Sequence, residues 1–266
     1  MSTIDEKSSQ LPIIRFRKGS FSDGDDTVVR ESTLTLFLNG RELVNLVCSP
    51  GEIKELAVGF LCSEGLLKKR EDLRHIETYS EKGLARIEIT ETAPTGEKLL
   101  SHYLASGCGR GRTSFHFLKD THGILPVGSN LRITPRELFS LSDELERRSL
   151  LFIKTGGAHS AALCTRNEVV VYYEDIGRHN AVDKIFGHCF LEGISFVDKL
   201  LVFSGRISSE ILSKIIKMGV PMIVSRSAPT ELTVKLAKEL GITVVGFARE
   251  GRLNIYPRPE RVTGSV

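Results

Sequence analysis

The strongest constraint on the fold is an alternation of short apolar runs with polar turns rich in glycine and arginine, centred on residues 155–206. The runs Glu168–Tyr173 and Lys199–Phe203 contain many β-branched and aromatic residues, which favour strands. Apolar residues recur at helical spacing in the segments that follow these runs: Val182, Ile185, Phe186 and Cys189, then Ile211, Leu212, Ile215 and Ile216. A repeat of strand, polar turn and helix predicts an α/β layer fold, whose ligands bind beyond the strand ends.

The same alternation continues to the C-terminus and predicts a second domain over residues 134–266. A capping box at Thr134–Glu137 opens a helix that bears Leu138, Leu141 and Leu145. Segments 158–164 and 168–173 flank a turn and are predicted to pair as a hairpin. Further helices are expected near 178–191, 208–218 and 230–240, and strands near 200–203, 221–225 and 242–247. We predict a mostly parallel or mixed sheet with helices on both faces.

Residues 1–133 are predicted to form an α+β N-terminal domain with an antiparallel sheet. Asn39-Gly40 separates the strand-like runs 33–38 and 41–48 and supplies the positive φ angles of a tight hairpin turn. Ser49–Glu52 has the pattern of another capping box, and the helix that it opens is expected to end near Gly65. Two more strands are expected at 76–80 and 84–90. We expect residues 1–12 to be a disordered tail and residues 91–133 to form a long loop; loops of this length are usually functional or disordered.

Composition narrows the class of protein. The chain is 41% hydrophobic and 26% charged, as soluble globular proteins are, and no apolar run approaches the roughly 20 residues of a membrane span. A net charge of +3 is too small to indicate nucleic-acid binding. Five cysteines without paired spacing favour a reducing compartment over a disulfide framework. We therefore expect a cytoplasmic protein that binds neither nucleic acid nor membrane.

Arginines follow the predicted strands of the second domain at the points where these strands end. They are Arg178, Arg206, Arg226, Arg249 and Arg252. Strands joined by helical crossovers end at one edge of a parallel sheet, where helix N-termini carry a partial positive charge. The guanidinium group binds phosphate in a bidentate manner. The pattern predicts a site for a ligand with more than one phosphate, although any single arginine could instead be a solvated surface charge.

His159 and His179 invite a metal interpretation, which the spacing does not favour. A zinc site usually needs three or four ligands at recognisable spacing, and the zinc deaminases carry H-x-E followed by P-C-x-x-C. Here His179 is followed by Asn180 and Ala181, and no cysteine pair follows. We expect both histidines to be hydrogen-bonded or to contact a ligand, with no metal bound.

One cysteine differs from the other four in its surroundings. Cys108 lies in the glycine- and arginine-rich stretch Ser106–Arg112, where exposure and positive charge favour the nucleophilic thiolate. The others have apolar neighbours and are predicted to be core residues; they are Cys48, Cys62, Cys164 and Cys189. A chance exposed cysteine remains the alternative interpretation of Cys108.

Four segments together resemble the FdhD family, the formate dehydrogenase accessory sulfurtransferases. They are S-G-C-G-R-G from Ser106, T-G-G-A-H-S-A from Thr155, E-D-I-G-R-H-N-A-V-D-K from Glu174 and V-G-F-A-R-E-G-R from Val245. The resemblance covers nearly the whole chain in the family's order. It implies that the second domain is a cytidine-deaminase-like three-layer α/β/α domain.

The resemblance also implies a role as a sulfur carrier. A cysteine desulfurase would load a persulfide on Cys108, and the sulfur would pass to the bis-molybdopterin guanine dinucleotide form of the molybdenum cofactor before that cofactor enters formate dehydrogenase. The cofactor is cargo, and a homodimer is implied. The stretch implied to contact the cofactor is Phe247, Ala248, Arg249, Glu250, Gly251 and Arg252, to which we add Arg178, His179, Arg206 and Arg226 from the predicted anion site.

One departure from the family keeps an alternative open. Many relatives have C-x-x-C in the loop, whereas Gly111 stands at the second position here. A single thiolate still accepts a persulfide, but steps that need a neighbouring thiol are put in doubt. The alternatives are a chaperone that binds the cofactor without sulfur transfer and, less favoured, a nucleotide-modifying enzyme of deaminase ancestry.

Overall fold

Three β-sheets and the helices packed on them make up the computed structural model, which describes residues 3–90 and 126–264. The strands are β1 Ser8–Arg17, β2 Ser20–Val29, β3 Ser32–Leu38, β4 Arg41–Cys48, β5 Leu73–Tyr79, β6 Leu84–Ile89, β7 His159–Cys164, β8 Val169–Asp175, β9 Leu200–Phe203, β10 Met222–Ser225, β11 Thr243–Arg249 and β12 Arg252–Ile255. The helices are α1 Ile4–Lys7, α2 Ile53–Glu64, α3 Pro135–Arg148, α4 Leu150–Thr155, α5 Arg178–Glu192, α6 Ser209–Met218 and α7 Glu231–Glu239.

The sheet of the C-terminal half has the order β12-β11-β10-β9-β7-β8. Strands β9, β10 and β11 are parallel, and β7 is antiparallel to both β8 and β9. Strand β8 therefore runs in the same direction as β9, β10 and β11. The predicted mixed sheet is confirmed, as are the hairpin of β7 and β8 and the helix–strand alternation after it.

Helices cover both faces of this sheet, because successive side chains of each central strand point to opposite faces. On β9, Leu201 and Phe203 pack with the helices α5, α6 and α7, whereas Leu200 and Val202 pack with α3. Leu138, Leu141 and Leu145 of α3 are buried, and the capping box at Thr134 is present, with Glu137 N–H donating to Thr134 Oγ1 over 3.2 Å. The α/β class with three layers is thus confirmed.

The N-terminal half contains a four-stranded sheet in the order β4-β3-β6-β5. The predicted hairpin of β3 and β4 is confirmed, with φ angles of 47° at Asn39 and 78° at Gly40. The expectation of a purely antiparallel sheet is wrong, because β3 and β6 are parallel. Helix α2 lies between the two hairpins in sequence, so the chain crosses over before β5 and β6 add to the edge of β3.

Helices α2 and α5 join the two halves of the chain at a close crossing. A Cβ atom on Gly59 would lie 1.7 Å from the carbonyl oxygen of Asp183, and one on Gly187 would lie 1.9 Å from that of Glu55. Only glycine allows backbones to approach so closely. One continuous apolar core therefore contains residues of both halves; the proposed boundary at 133 and 134 stays a prediction.

Two local expectations in the N-terminal half are wrong. Residues 3–12 are not a disordered tail: Lys18 and Gly19, with φ angles of 50° and 84°, form a tight turn that pairs β1 with β2 over ten residues each. Ser49 does not cap a helix either, because α2 begins at Ile53 after Glu52, whose φ angle is 47° and whose side chain makes no capping hydrogen bond. Helix α2 does end at Gly65, as expected.

None of the helices in the described ranges is both long enough and apolar enough to cross a membrane.

Candidate functional site

The polar segments of the second half meet at one edge of the six-stranded sheet. Strands β8, β9, β10 and β11 all end at this edge, and β7 begins there with His159, since it runs in the opposite direction. The segments that carry Arg178, Arg206, Arg226 and Arg249 therefore lie along a single edge. The sheet order therefore brings these strand ends together, as predicted.

The N-terminus of α5 opens onto this edge. Gly177 is the N-cap residue and has no side chain to cap the helix, and Arg178 and His179 are its first two residues. The first N–H groups of a helix of this length carry a partial positive charge and bind anions. The partial charge of the helix N-terminus and the charge of the Arg178 side chain are thus both positive.

Nearby cations disfavour a positive charge on two histidines at the same edge of the sheet. Burial, together with the cations of Lys214 and Arg178, lowers the pKa of His179 to about 3. Burial and Arg178 also lower the pKa of His159. His179 Nε2 lies 3.4 Å from Glu210 Oε2, but with this pKa the ring is neutral near pH 7, so the contact is not an ion pair. A bound anion would relieve this excess of positive charge.

Two buried guanidinium nitrogens have no hydrogen-bond partner among residues 3–90 and 126–264. The Nε atoms of Arg178 and Arg249 are inaccessible to solvent and have no hydrogen-bond partner within the described part of the chain. Leaving a buried donor unsatisfied costs about 1–3 kcal/mol, so such donors are rare without a purpose. Both arginines follow strand ends at this edge of the six-stranded sheet, which we call the anion edge (Arg178, His179, Arg206, Arg226 and Arg249). An acceptor such as a phosphate oxygen would be a fitting partner for both donors.

The remaining predicted arginines have different surroundings. Arg226 donates to Ser142 Oγ over 3.3 Å, and its guanidinium lies 2.9 Å from Glu146 and 3.6 Å from Asp143, so helix α3 holds it. Arg206 is exposed. Arg252 is exposed as well, and its guanidinium lies 5.7 Å from the centre of the Phe247 ring.

The stretch from Phe247 to Arg252 is an irregular hairpin. Phe247 has a φ angle of 56°, and the register between β11 and β12 shifts between Gly246 and Arg249. Ala248 is fully buried and its carbonyl oxygen accepts a hydrogen bond from Ser142 Oγ over 2.6 Å. Glu250 and Gly251 form the turn, with φ angles of 53° and 71°. This backbone directs Arg249 inward, while Glu250, Gly251 and Arg252 remain exposed.

Most polar residues of the segment Glu174–Lys184 serve the junction between the halves. Asp175 lies 2.8 Å from Lys184, and both side chains are fully buried. The Asp175 carboxylate also accepts hydrogen bonds from Ser49 N–H, Gly177 N–H and Asn180 Nδ2. Sequence reasoning assigned no role to Asp175 or Lys184.

A second buried contact extends this junction. Asp183 pairs with Lys214 over 2.7 Å and accepts a hydrogen bond from Ser63 Oγ of α2. Lys184 lies 3.4 Å from Glu52, which in turn lies 2.6 Å from Lys7 of α1. Of the segment's polar side chains, Arg178 and His179 belong to the anion edge. No sequence signal separates them from their neighbours, because all belong to one polar run.

The predicted burial is confirmed for the four cysteines that the structure describes. All are buried, and burial raises the pKa of Cys48, Cys164 and Cys189 to about 12 and raises that of Cys62 as well. Cys108, with Arg110, Gly111 and Arg112, lies outside the described residues. Its predicted role as a persulfide carrier stays a prediction.

Across residues 3–90 and 126–264, no group of three or more histidine, cysteine or acidic side chains is arranged to hold a metal ion.

Comparisons with known proteins identify relatives of the whole chain. Residues 29–263 match the model of the FdhD/NarQ family. The chain is 40% identical to the sulfur carrier protein FdhD of Bacillus subtilis strain 168 over 259 residues, which cover 97% of this chain and 98% of the relative. It is 42% identical to the protein of the same name from Listeria monocytogenes strain EGD-e over 257 residues, or 96% and 98% of the two chains.

A solved structure is also similar to this chain over nearly its whole length. The chain is similar to a crystal structure assigned to a formate dehydrogenase accessory protein from Desulfotalea psychrophila, with a TM-score of 0.79 and 27% sequence identity. The similarity covers 96% of this chain and 99% of that chain.

Proposed function

The chain belongs to the FdhD/NarQ family, and from this membership we propose that it is a sulfur carrier that supports the maturation of a formate dehydrogenase. Relatives that align over nearly their whole length carry the name sulfur carrier protein FdhD. The similar crystal structure is assigned to a formate dehydrogenase accessory protein. These names support both halves of the proposal, the sulfur transfer and the enzyme served.

The cargo in this proposal is the molybdenum cofactor as bis-molybdopterin guanine dinucleotide, a ligand with diphosphate groups. The observation that carries the assignment is the pair of buried Nε atoms of Arg178 and Arg249, which have no partner within the part of the chain that the structure describes. Each arginine would donate to phosphate oxygen, and charged hydrogen bonds of this kind contribute about 1.5–3 kcal/mol each. The N-terminus of α5 would add its partial positive charge at the same edge.

Other residues of the edge would have secondary roles. Arg252 and Phe247 form a cation–π pair on the exposed side of the hairpin, where they could flank a nucleotide base or a further phosphate. His159 and His179 are neutral in the absence of ligand and would donate or accept hydrogen bonds to it. Arg226 is held by carboxylates of α3, so we give it a smaller share in binding.

Cys108 would carry the sulfur. Its thiolate would attack the terminal sulfur of a persulfide on a cysteine desulfurase, forming a new S–S bond while the desulfurase cysteine leaves as a thiolate. The sulfur would then pass to the bound cofactor before the cofactor enters formate dehydrogenase; Cys108 would leave as a thiolate, and a two-electron reductant would convert the transferred sulfur to sulfide. We place this transfer in the cytoplasm, since cysteines without paired spacing suit a reducing compartment.

A second candidate function is a chaperone that holds the cofactor without transferring sulfur. The observation that favours it is Gly111, three residues after Cys108, where a C-x-x-C pair would place its second thiol. The anion edge would serve this function equally well. The two candidates differ only in whether Cys108 takes up sulfur.

The experiment that separates them is mass spectrometry of the protein after incubation with a cysteine desulfurase and cysteine. A sulfur carrier gains one sulfur atom on the peptide that contains Cys108, and a reductant removes it. The Cys108→Ser variant should gain none and should still bind GDP, a fragment of the cargo. Unmodified Cys108 in a protein that binds GDP would favour the chaperone.

A further inference from the structure

The N-terminus of α5 differs from those of three other helices of the second half in how its N–H groups are bonded. In α3, α6 and α7 a threonine or serine at the N-cap accepts a hydrogen bond from an N–H group of the first turn. In α5 the N-cap is Gly177, and Ala181 N–H donates the first hydrogen bond of the helix, to Gly177 O over 3.1 Å. The three N–H groups before Ala181 therefore have no partner within the helix and can bind a ligand.

Asn180, the third residue of α5, acts as a donor and not as a cap. Its Nδ2 donates to Val47 O, near the end of β4, and to Asp175 Oδ1, each over 2.8 Å. Only 8% of Asn180 is exposed, and a Cβ atom on Gly177 would lie 2.7 Å from its Nδ2. Both amide hydrogens are therefore donated to acceptors outside α5, and the side chain lies against the glycine N-cap.

Ser49 binds the residues just before α5. Its N–H donates to Asp175 Oδ2 over 3.1 Å, and its Oγ accepts from Ile176 N–H over 3.0 Å. Ser49 and Asp175 are both fully buried. These bonds are possible because β4 is an edge strand, whose backbone pairs with a neighbouring strand on one side only. Four residues, which we call the β4–α5 cluster, thus join the end of β4 to both sides of the α5 N-cap; they are Val47, Ser49, Asp175 and Asn180.

The β4–α5 cluster sets the position of the first residue of α5. Arg178 follows the residues that the cluster holds, and its Cβ lies 3.5 Å from where a Cβ atom on Gly205 would be, beside the turn after β9. Its buried Nε has no hydrogen-bond partner in residues 3–90 and 126–264. A change in the backbone before α5 would therefore move this donor and the three N–H groups of the first turn together.

We propose that Ser49 and Asn180 are positioning residues for the phosphates of the cargo, which they do not themselves touch. They hold the N-terminus of α5 without a cap and aligned with the anion edge, so that its N–H groups and Arg178 bind phosphate together. The inference rests on the proposed function, which supplies a ligand with phosphate groups. If the cluster only covered the edge of β4, its loss would lower stability and leave the affinity for phosphate unchanged.

Isothermal titration calorimetry on the full chain, with GDP and with inorganic diphosphate, tests the role of Ser49. We expect Ser49→Ala to weaken the binding of both by about 2- to 13-fold, which corresponds to a hydrogen bond of about 0.5–1.5 kcal/mol. Ser63→Ala is the matched control, because Ser63 is also a buried serine of the N-terminal half and donates to Asp183, further along α5. Both variants should lose stability to urea, but Ser63→Ala should bind GDP and inorganic diphosphate as wild type does.

Asn180→Asp tests the need for a donor with almost no change in shape. The new carboxylate would accept from the N–H groups of the first turn and would face Asp175, so we expect at least about tenfold weaker binding of both ligands. Nuclear magnetic resonance of isotope-labelled protein observes the helix terminus directly. Inorganic diphosphate should shift the amide resonances of Arg178 and His179 in wild type, and should shift them less at the same concentration in the two cluster variants.

Wild-type affinity in both Ser49→Ala and Asn180→Asp, with a loss in Arg178→Ala, would overturn the positioning role and leave the proposed function standing. An equal loss in Ser63→Ala would reduce the cluster to a structural role and so overturn the inference as well. If far-UV circular dichroism shows that Asn180→Asp does not fold, Ser49→Ala and its control decide the question. Wild-type protein that binds neither GDP nor inorganic diphosphate would overturn the proposed function together with this inference.

Discussion

Asp175 and Lys184 form a 2.8 Å ion pair in which neither side chain reaches solvent. Although burial opposes the charged form of Lys184, the carboxylates of Asp175 and Glu52 raise its pKa. The pair stands where the N-terminus of α5 meets the chain after β4, because Asp175 also accepts a hydrogen bond from Ser49 N–H. The anion edge is therefore fixed in place by contacts with the other half of the chain.

Removing one partner of this pair should be costly for stability. We expect Lys184→Met to lower the free energy of unfolding by about 3–5 kcal/mol, because it leaves the Asp175 carboxylate buried without its cation. Urea denaturation followed by circular dichroism measures the change. Lys235→Met is the matched control: Lys235 pairs with Glu231 over 2.6 Å, but both are largely exposed. Equal effects of the two substitutions would contradict a stabilising role for the buried Asp175–Lys184 pair.

The crossing of α2 and α5 should tolerate no side chain at Gly59. A methyl group there would lie 1.7 Å from the backbone oxygen of Asp183, so the helices would have to separate. We expect Gly59→Ala to lower the free energy of unfolding by about 1–3 kcal/mol or more, despite the higher helix propensity of alanine. Gly128→Ala serves as the comparison, since no atom lies within 4 Å of the added methyl group. A Gly59→Ala protein as stable as wild type would show that the crossing is looser than described.

Acidification should destabilise the protein through His179. The pKa of this histidine falls from 6.5 to about 3 on folding, so between these values the unfolded chain binds the additional proton. Stability is therefore full above pH 6.5 and is lost as the pH falls below it. A shift of one pKa unit corresponds to about 1.4 kcal/mol, so we expect a loss of at most about 2 kcal/mol by about pH 5.

Unfolding in urea at a series of pH values measures this dependence. His179→Gln should flatten it, because glutamine does not titrate. Saturating GDP should also reduce the slope, as its phosphates favour the protonated ring. Identical slopes for wild type and His179→Gln would refute the role of this residue.

Binding of GDP should depend unequally on the arginines of the edge. We expect Arg178→Ala and Arg249→Ala to weaken binding by about 10- to 150-fold each, the range for a lost charged hydrogen bond of about 1.5–3 kcal/mol. Arg252→Ala should cost a similar amount if its guanidinium reaches phosphate. Arg226→Ala should change the affinity less, because carboxylates of α3 already occupy its guanidinium.

Isothermal titration calorimetry measures these affinities, with the exposed Arg166→Ala, which pairs with Glu137 over 2.8 Å, as the control. Wild-type affinity in both Arg178→Ala and Arg249→Ala would place the phosphates elsewhere. A loss in Arg226→Ala as large as in Arg178→Ala would show that α3 releases Arg226 on binding.

Much of the fold follows from the sequence because its signals are local. The turn at Asn39-Gly40, the capping box at Thr134 and the helix end at Gly65 each depend on a few neighbouring residues, and the structure contains all three. The order of strands and helices in the second half follows from hydrophobic periodicity for the same reason. The parallel direction of β9, β10 and β11 then brings their ends to one edge.

Other features depend on partners distant in sequence. Ser49 has the pattern of a helix cap, yet its N–H bonds to Asp175, 126 positions away, and its hydroxyl accepts from Ile176 N–H. The sequence predicts a disordered tail over residues 1–12, because the Lys18-Gly19 turn that pairs β1 with β2 is a weak signal next to a polar N-terminus. Arg226 has the same sequence context as the other arginines, but carboxylates of α3 hold it.

The sequence by itself therefore determined the secondary structure of the second half apart from α4 and β12, the burial of the four described cysteines, and the sheet edge at which the arginines lie. Only the tertiary structure decided which polar side chains of that edge are bound by neighbouring residues. Among the described residues, Arg178 and Arg249 instead have a buried Nε donor without a hydrogen-bond partner. The physical reason is that periodicity and turn chemistry act between residues close in the chain. The charge and hydrogen bonding of a buried side chain are instead set by whichever groups folding brings beside it.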